Sequence, residues 1–203
     1  MSKCITHQES EAYVKKMVSS GIPILNPPIF IQAYGKRSSL SRRQLHFLAE
    51  TIVLGLEDLM RKDVFPVFYM LNLVVTEDGN KHSMMLCLDK NKKDQYSLEL
   101  FDSNGTLDPS RGWDAFVYPL VMDAKDILEH ELGQEVKFVE VRKSKESINN
   151  FGTGNCDALS LYYAVLRSKY TLAQVNSKLD KPKMDNKRTT QINKAIQKKQ
   201  LFK

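Results

Sequence analysis

Between Val64 and Asp102 the chain changes its hydrophobic period, and this change constrains the fold more than any other feature of the sequence. VFPVFYMLNLVV, HSMMLCLD and YSLELFD are short apolar or alternating runs rich in strand-forming residues. EDGNK and KNKKDQ separate them, and both are good hairpin connections. An antiparallel three-strand meander is expected from about residue 66 to 101. On either side the period is helical. ESEAYVKKMVSS (9–20) predicts a short helix stopped by Gly21. Leu45, Leu48, Ile52, Leu56 and Leu59 recur at spacings of three and four, which predicts an amphipathic helix from Ser41 to about Lys62, capped by Ser39 or Ser41. The intervening IPILNPPIFIQAYG carries three prolines and is expected to be an extended, ordered loop. Residues 109–132 read as largely helical with an interruption at Pro119, and VKFVEV alternates as a fourth strand. The glycine-bearing turn FGTGN then leads into CDALSLYYAVLRSKY, a mostly apolar helix whose first residues are Asn155, Cys156 and Asp157. Strands grouped in the middle and helices around them define the α+β class.

A chain of 203 residues suits one packed domain. The expected division is a single domain over 1–180, with 1–62 as its N-terminal helical part, followed by a basic segment over 181–203. That segment holds eight basic residues and one acid, Asp185. Set against a whole-chain charge of +6, this leaves about −1 for the other 180 residues. The basic character therefore belongs to the tail, which reads as a solvated segment or as a contact for an anionic partner. No apolar run reaches 18 residues, so no membrane span is expected. Cys4, Cys87 and Cys156 are too few for a disulfide framework and too widely spaced for zinc. Neither a metal nor a cofactor is expected, and a polar, acid-containing N-terminus argues against a signal peptide. The expected setting is intracellular and reducing.

The candidate chemistry lies in three residues. His7 sits near the terminus, His46 on the exposed side of a helix and His130 among acids on a helical surface. His82 differs, since it opens a strand directly after a tight turn. Asp102 ends the next strand of the same meander, and neighbouring antiparallel strands bring such residues within reach of each other. Cys156 follows Gly152 and Gly154 and opens a helix, where free backbone N–H groups favour a thiolate and stabilise a developing oxyanion. Taken singly, each has a bland reading: a surface histidine, a turn aspartate in DSNG, and a small buried side chain. Together, in the order His, Asp, Cys, they point to a nucleophile, its base and an orienting carboxylate.

Strand, His82, strand, Asp102, helix, strand, glycine turn, Cys156, helix: this order resembles the cysteine peptidase clan of the SUMO- and ubiquitin-like-specific proteases. The adenovirus-type proteases and the YopJ-type effector acetyltransferases share that pattern. LELFDS, with Asp102 and Ser103, and GNCDALSLYYAV around Cys156 carry the likeness, which covers roughly residues 65–170. The resemblance implies a papain-like fold with a central mixed, mainly antiparallel sheet flanked by helices. It also implies a Cys–His–Asp hydrolase acting on ubiquitin, a ubiquitin-like modifier or another polypeptide, of viral or bacterial-effector type. Three positions depart from the pattern. Ser83 stands where the family has an aromatic residue after the histidine, and Asp157 where it has glycine after the cysteine. The usual glutamine before the cysteine is missing; Asn150 is the best substitute oxyanion donor, ahead of Asn155 and Asn149. The competing expectations are a YopJ-like acyltransferase and an inactive binding module of the same fold, in which IPILNPPIFIQAY would form a partner groove.

Overall fold

A computed structural model of the chain describes residues 7–33, 40–75, 80–103, 114–141, 156–179, 191–192 and 194–195. Five strands form one sheet in the order β1 (Ile29–Ala33), β2 (Val67–Val75), β3 (Asn80–Lys90), β4 (Tyr96–Asp102) and β5 (Val136–Val141). β2, β3 and β4 pair antiparallel, as the two hairpin connections require, while β1 pairs parallel with β2 and β5 parallel with β4. The sheet is therefore mixed, with an antiparallel centre and parallel edges. The class is α+β, as expected.

Each parallel pair needs a helical crossover, supplied by α2 (Arg42–Met60) between β1 and β2 and by α3 (Asp114–Leu132) between β4 and β5. Both crossovers step the same way across the sheet between strands that point the same way, so the right-handed rule puts both helices on one face. There they meet in one apolar cluster, where Ile52, Leu56, Val117 and Leu120 pack on Leu71, Leu86 and Leu100. The opposite face is left for α1 (His7–Ser19), α4 (Cys156–Arg167) and α5 (Leu172–Leu179). α4 lies directly on the sheet against Met85, Cys87 and Phe101, with Tyr13, Val14 and Met17 of α1 and Val175 and Leu179 of α5 in the same cluster. Eleven of its twelve residues are buried, which makes α4 the central helix of a three-layer molecule. Phe101 and Tyr163 stack across this interface with ring centroids 4.6 Å apart. Because both sheet faces are covered, β2 and β3 read as near-continuous apolar runs rather than as clean alternations.

Local signals set several boundaries. Ser41 caps α2 through a reciprocal capping box with Gln44. Gly21, at φ +80°, lies just beyond α1 and turns the chain toward the sheet. Four expectations need correction. IPILNPPIFIQAYG is not a loop throughout: its second half is β1, an edge strand, and Ile24 bridges to Phe68. Proline is tolerated at a sheet edge, and Pro27 and Pro28 precede the strand without interrupting it. The same segment is not a vacant partner groove, because Ile24 and Ile31 are buried in the two cores. Pro119 does not interrupt α3, since it stands early in the helix and costs a single backbone hydrogen bond there. The basic C-terminal segment is not wholly solvated, because Ile192 is buried in the cluster around α4.

Candidate functional site

The C-terminal ends of β1, β2, β4 and β5 and the N-terminal end of β3 lie at one end of the sheet. Asp102, the last residue of β4, pairs with Met84 of β3. His82 lies two residues before Met84 and therefore on the same face, one diagonal step from Asp102. The two side chains close that step, with His82 Nε2 2.8 Å from Asp102 Oδ1, and both are buried. Cys156, also buried, is the first residue of α4, and its side chain is in hydrogen-bonding contact with the His82 ring. Residues separated by 20 and 54 positions along the chain thus meet at one point.

The electrostatics of His82 follow from this enclosure. Burial opposes a charged ring, but the Asp102 carboxylate, through its charge and its hydrogen bond, overcomes that penalty. A smaller contribution from Cys156 adds to it, and the imidazole pKa is pushed up to about 10. The shift favours the charged form of the ring. Cys87, the other buried cysteine, is different in kind: burial, then the nearby Glu99 carboxylate, pushes its thiol well above the usual range, leaving an inert core residue.

Two of the departures noted in the sequence meet each other here. Ser83 points toward α4, where its Oγ donates to Asp157 Oδ1, and its carbonyl accepts from Ser160 Oγ at 3.0 Å. Ser83 Oγ also lies 2.6 Å from Asn72 Oδ1 on the neighbouring strand. Asn72, Ser83 and Asp157 are all buried. Sequence reasoning treated Ser83 and Asp157 as separate anomalies and overlooked Asn72. The available signal was a single polar residue inside each apolar run, Asn72 in VFYMLNLVV and Ser83 in HSMMLCLD.

Asn149, Asn150 and Asn155, the oxyanion candidates, lie outside the described residues, as does Cys4. His46 is exposed and ion-pairs with Glu50 and Asp123, and exposed His130 pairs with Glu131. Neither approaches the His82 site. Among the described residues no three His, Cys, Asp or Glu side chains are grouped to hold a metal, and no helix is long and apolar enough to cross a membrane.

No protein-family model and no curated protein matches the chain. Among solved structures, it is similar to the Legionella pneumophila effector protein RavZ in complex with human LC3B, with 10% identity, a TM-score of 0.45, and coverage of 85% of this chain and 47% of that one. It is also similar to the central domain of the Lpg1148 protein from Legionella pneumophila, with 14% identity, a TM-score of 0.39, and coverage of 96% and 99%. A third similarity is to a de-sumoylating protease, with 10% identity, a TM-score of 0.37, and coverage of 96% and 73%. The chain spans about half the length of the RavZ chains it matches. At these identities and TM-scores the likeness carries no chemistry.

Proposed function

We propose that this chain is a cysteine peptidase in which Cys156 is the nucleophile, His82 its acid–base partner and Asp102 the group that orients the ring. The observation that carries this reading is the buried Asp102–His82 hydrogen bond, with the Cys156 side chain on the same imidazole at a helix N-terminus. With Nε2 held by Asp102, Nδ1 is the ring nitrogen left for the thiol. A positive ring beside sulfur is the partner a cysteine nucleophile uses. The thiolate attacks the scissile carbonyl carbon, and the first backbone N–H groups of α4, with Asn150 as the proposed side-chain donor, receive the oxyanion. His82 then gives its proton to the leaving amine. Water, deprotonated by the same ring, attacks the thioester and frees the acid product and the thiolate. The chemistry requires a free thiol, which a reducing compartment preserves.

The proposed substrate class is a ubiquitin-like modifier or a polypeptide joined to one, following the family resemblance of the His82–Asp102–Cys156 order. Labelling with ubiquitin and ubiquitin-like probes that end in an electrophile tests nucleophile, base and substrate together. Wild type is expected to form a covalent adduct that Cys156→Ala abolishes and His82→Ala suppresses. A rapidly alkylated Cys156 that takes none of the probes would move the substrate outside this class. A Cys156 no more reactive than Cys4 would remove the catalytic reading.

A further inference from the structure

The two residues that immediately follow the proposed base and nucleophile, Ser83 and Asp157, are hydrogen-bonded to each other inside the core. A hydroxyl has one hydrogen to give. Donated to the Asp157 carboxylate, the stronger acceptor, it leaves only lone pairs facing Asn72. Among the described residues the Asn72 amide nitrogen has no partner, and the oxygen and nitrogen ends of an amide are equal in shape. Turning that amide end for end gives Nδ2–H an acceptor in Ser83 Oγ and completes a directed chain, Asn72 to Ser83 to Asp157. Ser160, one turn further along α4, donates to the Ser83 carbonyl. α4 is thereby held at two points on the strand residue next to His82, at the end of the helix that carries Cys156.

This arrangement is local in its reach. The opposite end of α4 is held separately by Arg167, which bonds Glu99 through Nε and Nη2, Asp89, and the Tyr170 carbonyl. Overall docking of the helix on the sheet therefore does not depend on Ser83 and Asp157. What they determine is the distance and angle between the thiol and the imidazole, since one covalent step separates each of them from a reacting residue.

We propose that Asn72, Ser83 and Asp157 form a clamp of positioning residues that sets the Cys156–His82 geometry, with Ser83 and Asp157 acting as one unit. This proposal rests on the catalytic reading above. A misplacement of about 1 Å between reacting groups costs about a hundredfold in rate. The test is the rate of Cys156 alkylation by iodoacetamide at pH 6, followed by intact mass in the full chain with Cys4→Ser, alongside thermal melts. Wild type is expected to react fast. Ser83→Ala and Asp157→Ala should each slow by about ten- to a hundredfold while still melting cooperatively. The double variant should be no slower than either single one, because the unit is already broken. Asp157→Asn keeps an oxygen acceptor for Ser83 and should recover most of the rate. Wild-type rates in both single variants, or losses that multiply in the double variant, would overturn the clamp while leaving the catalytic reading intact. An inert wild-type Cys156 would overturn both.

Discussion

The charge on His82 is set by a contest between two effects of the same burial. Removing the ring from water disfavours imidazolium, yet the same low-dielectric surroundings strengthen its attraction to Asp102, and the second effect wins, pushing the pKa to about 10. This has a consequence for stability. The folded-state pKa lies above the ordinary histidine value, so the folded chain binds the proton more tightly than the unfolded one. The stabilisation, on the order of a few kcal/mol, is complete below about pH 6.5 and is lost as pH rises to about 10. In Asp102→Asn, burial acts almost alone and holds the ring neutral, which reverses the sign: the unfolded state then binds more protons through the histidine range. Urea unfolding at pH 6 and pH 9.5 is expected to show wild type losing stability across that interval and Asp102→Asn holding level or gaining. Equal slopes in the two proteins would mean that Asp102 does not control the ring. Asp102 ends β4 and Cys156 begins α4, and His82, expected to open its strand, is the third residue of β3, so all three lie near element ends that can be read from period and turn chemistry. The Ser83–Asp157 bond was not legible, because it joins residues 74 positions apart whose pairing depends on how α4 lies over β3.

At the scale of the element, α4 joins two polar contacts through an apolar middle. Its C-terminal contact is a buried ion-pair system. Glu99, mid-strand in β4, accepts from Tyr163 Oη at 2.5 Å and from Arg167 Nε and Nη2 at 3.0 and 2.9 Å. A glutamate in the middle of an otherwise apolar strand would be costly without such partners. Burial disfavours the Arg167 charge, but the Glu99 hydrogen bonds and charge outweigh it and hold the guanidinium firmly protonated. Removing one partner leaves the other charge stranded. Arg167→Met is therefore expected to cost about 3–5 kcal/mol in chemical denaturation. Glu99→Leu combined with Arg167→Met should recover much of that loss, because an apolar pair of similar volume no longer carries a desolvation penalty. If the double variant were as unstable as the single one, the site would be held by shape rather than by charge. Sequence periodicity foretold α2, α4, the meander and β5, since each carries its period over a full element. β1 escaped because five residues are too few for a period to show, and because the prolines before it mark a loop in any reading of the sequence alone.

At the scale of the molecule, the two faces of the sheet have different work. One is closed by the crossover helices α2 and α3, which the parallel edges demand, and His82 and Asp102 stand at the end of this face, on the side of Met84 and Leu100. The other carries α4, whose N-terminus delivers Cys156 to the end of the sheet where His82 and Asp102 already stand. The N-terminal helices belong to both layers, α1 over α4 and α2 over the opposite face, so these two helices complete the cores on which that delivery depends. The lysine-rich end contributes as well. Charge counting marks residues 181–203 as basic, and charge alone suggests solvent, but one apolar side chain in such a segment can still enter a core. Ile192 is that side chain: only 6% of its surface remains exposed, in the cluster that includes Tyr13, Tyr163 and Val175. Ile192→Ala is expected to destabilise the chain by about 2–4 kcal/mol in urea denaturation, the range for truncating a buried isoleucine. Replacing the exposed Lys194 with serine, which removes charge and leaves Ile192 in place, should change stability by less than about 0.5 kcal/mol. If Ile192→Ala were equally silent, residues 191–195 would not be part of the folded unit, and the layer over α4 would end at α5.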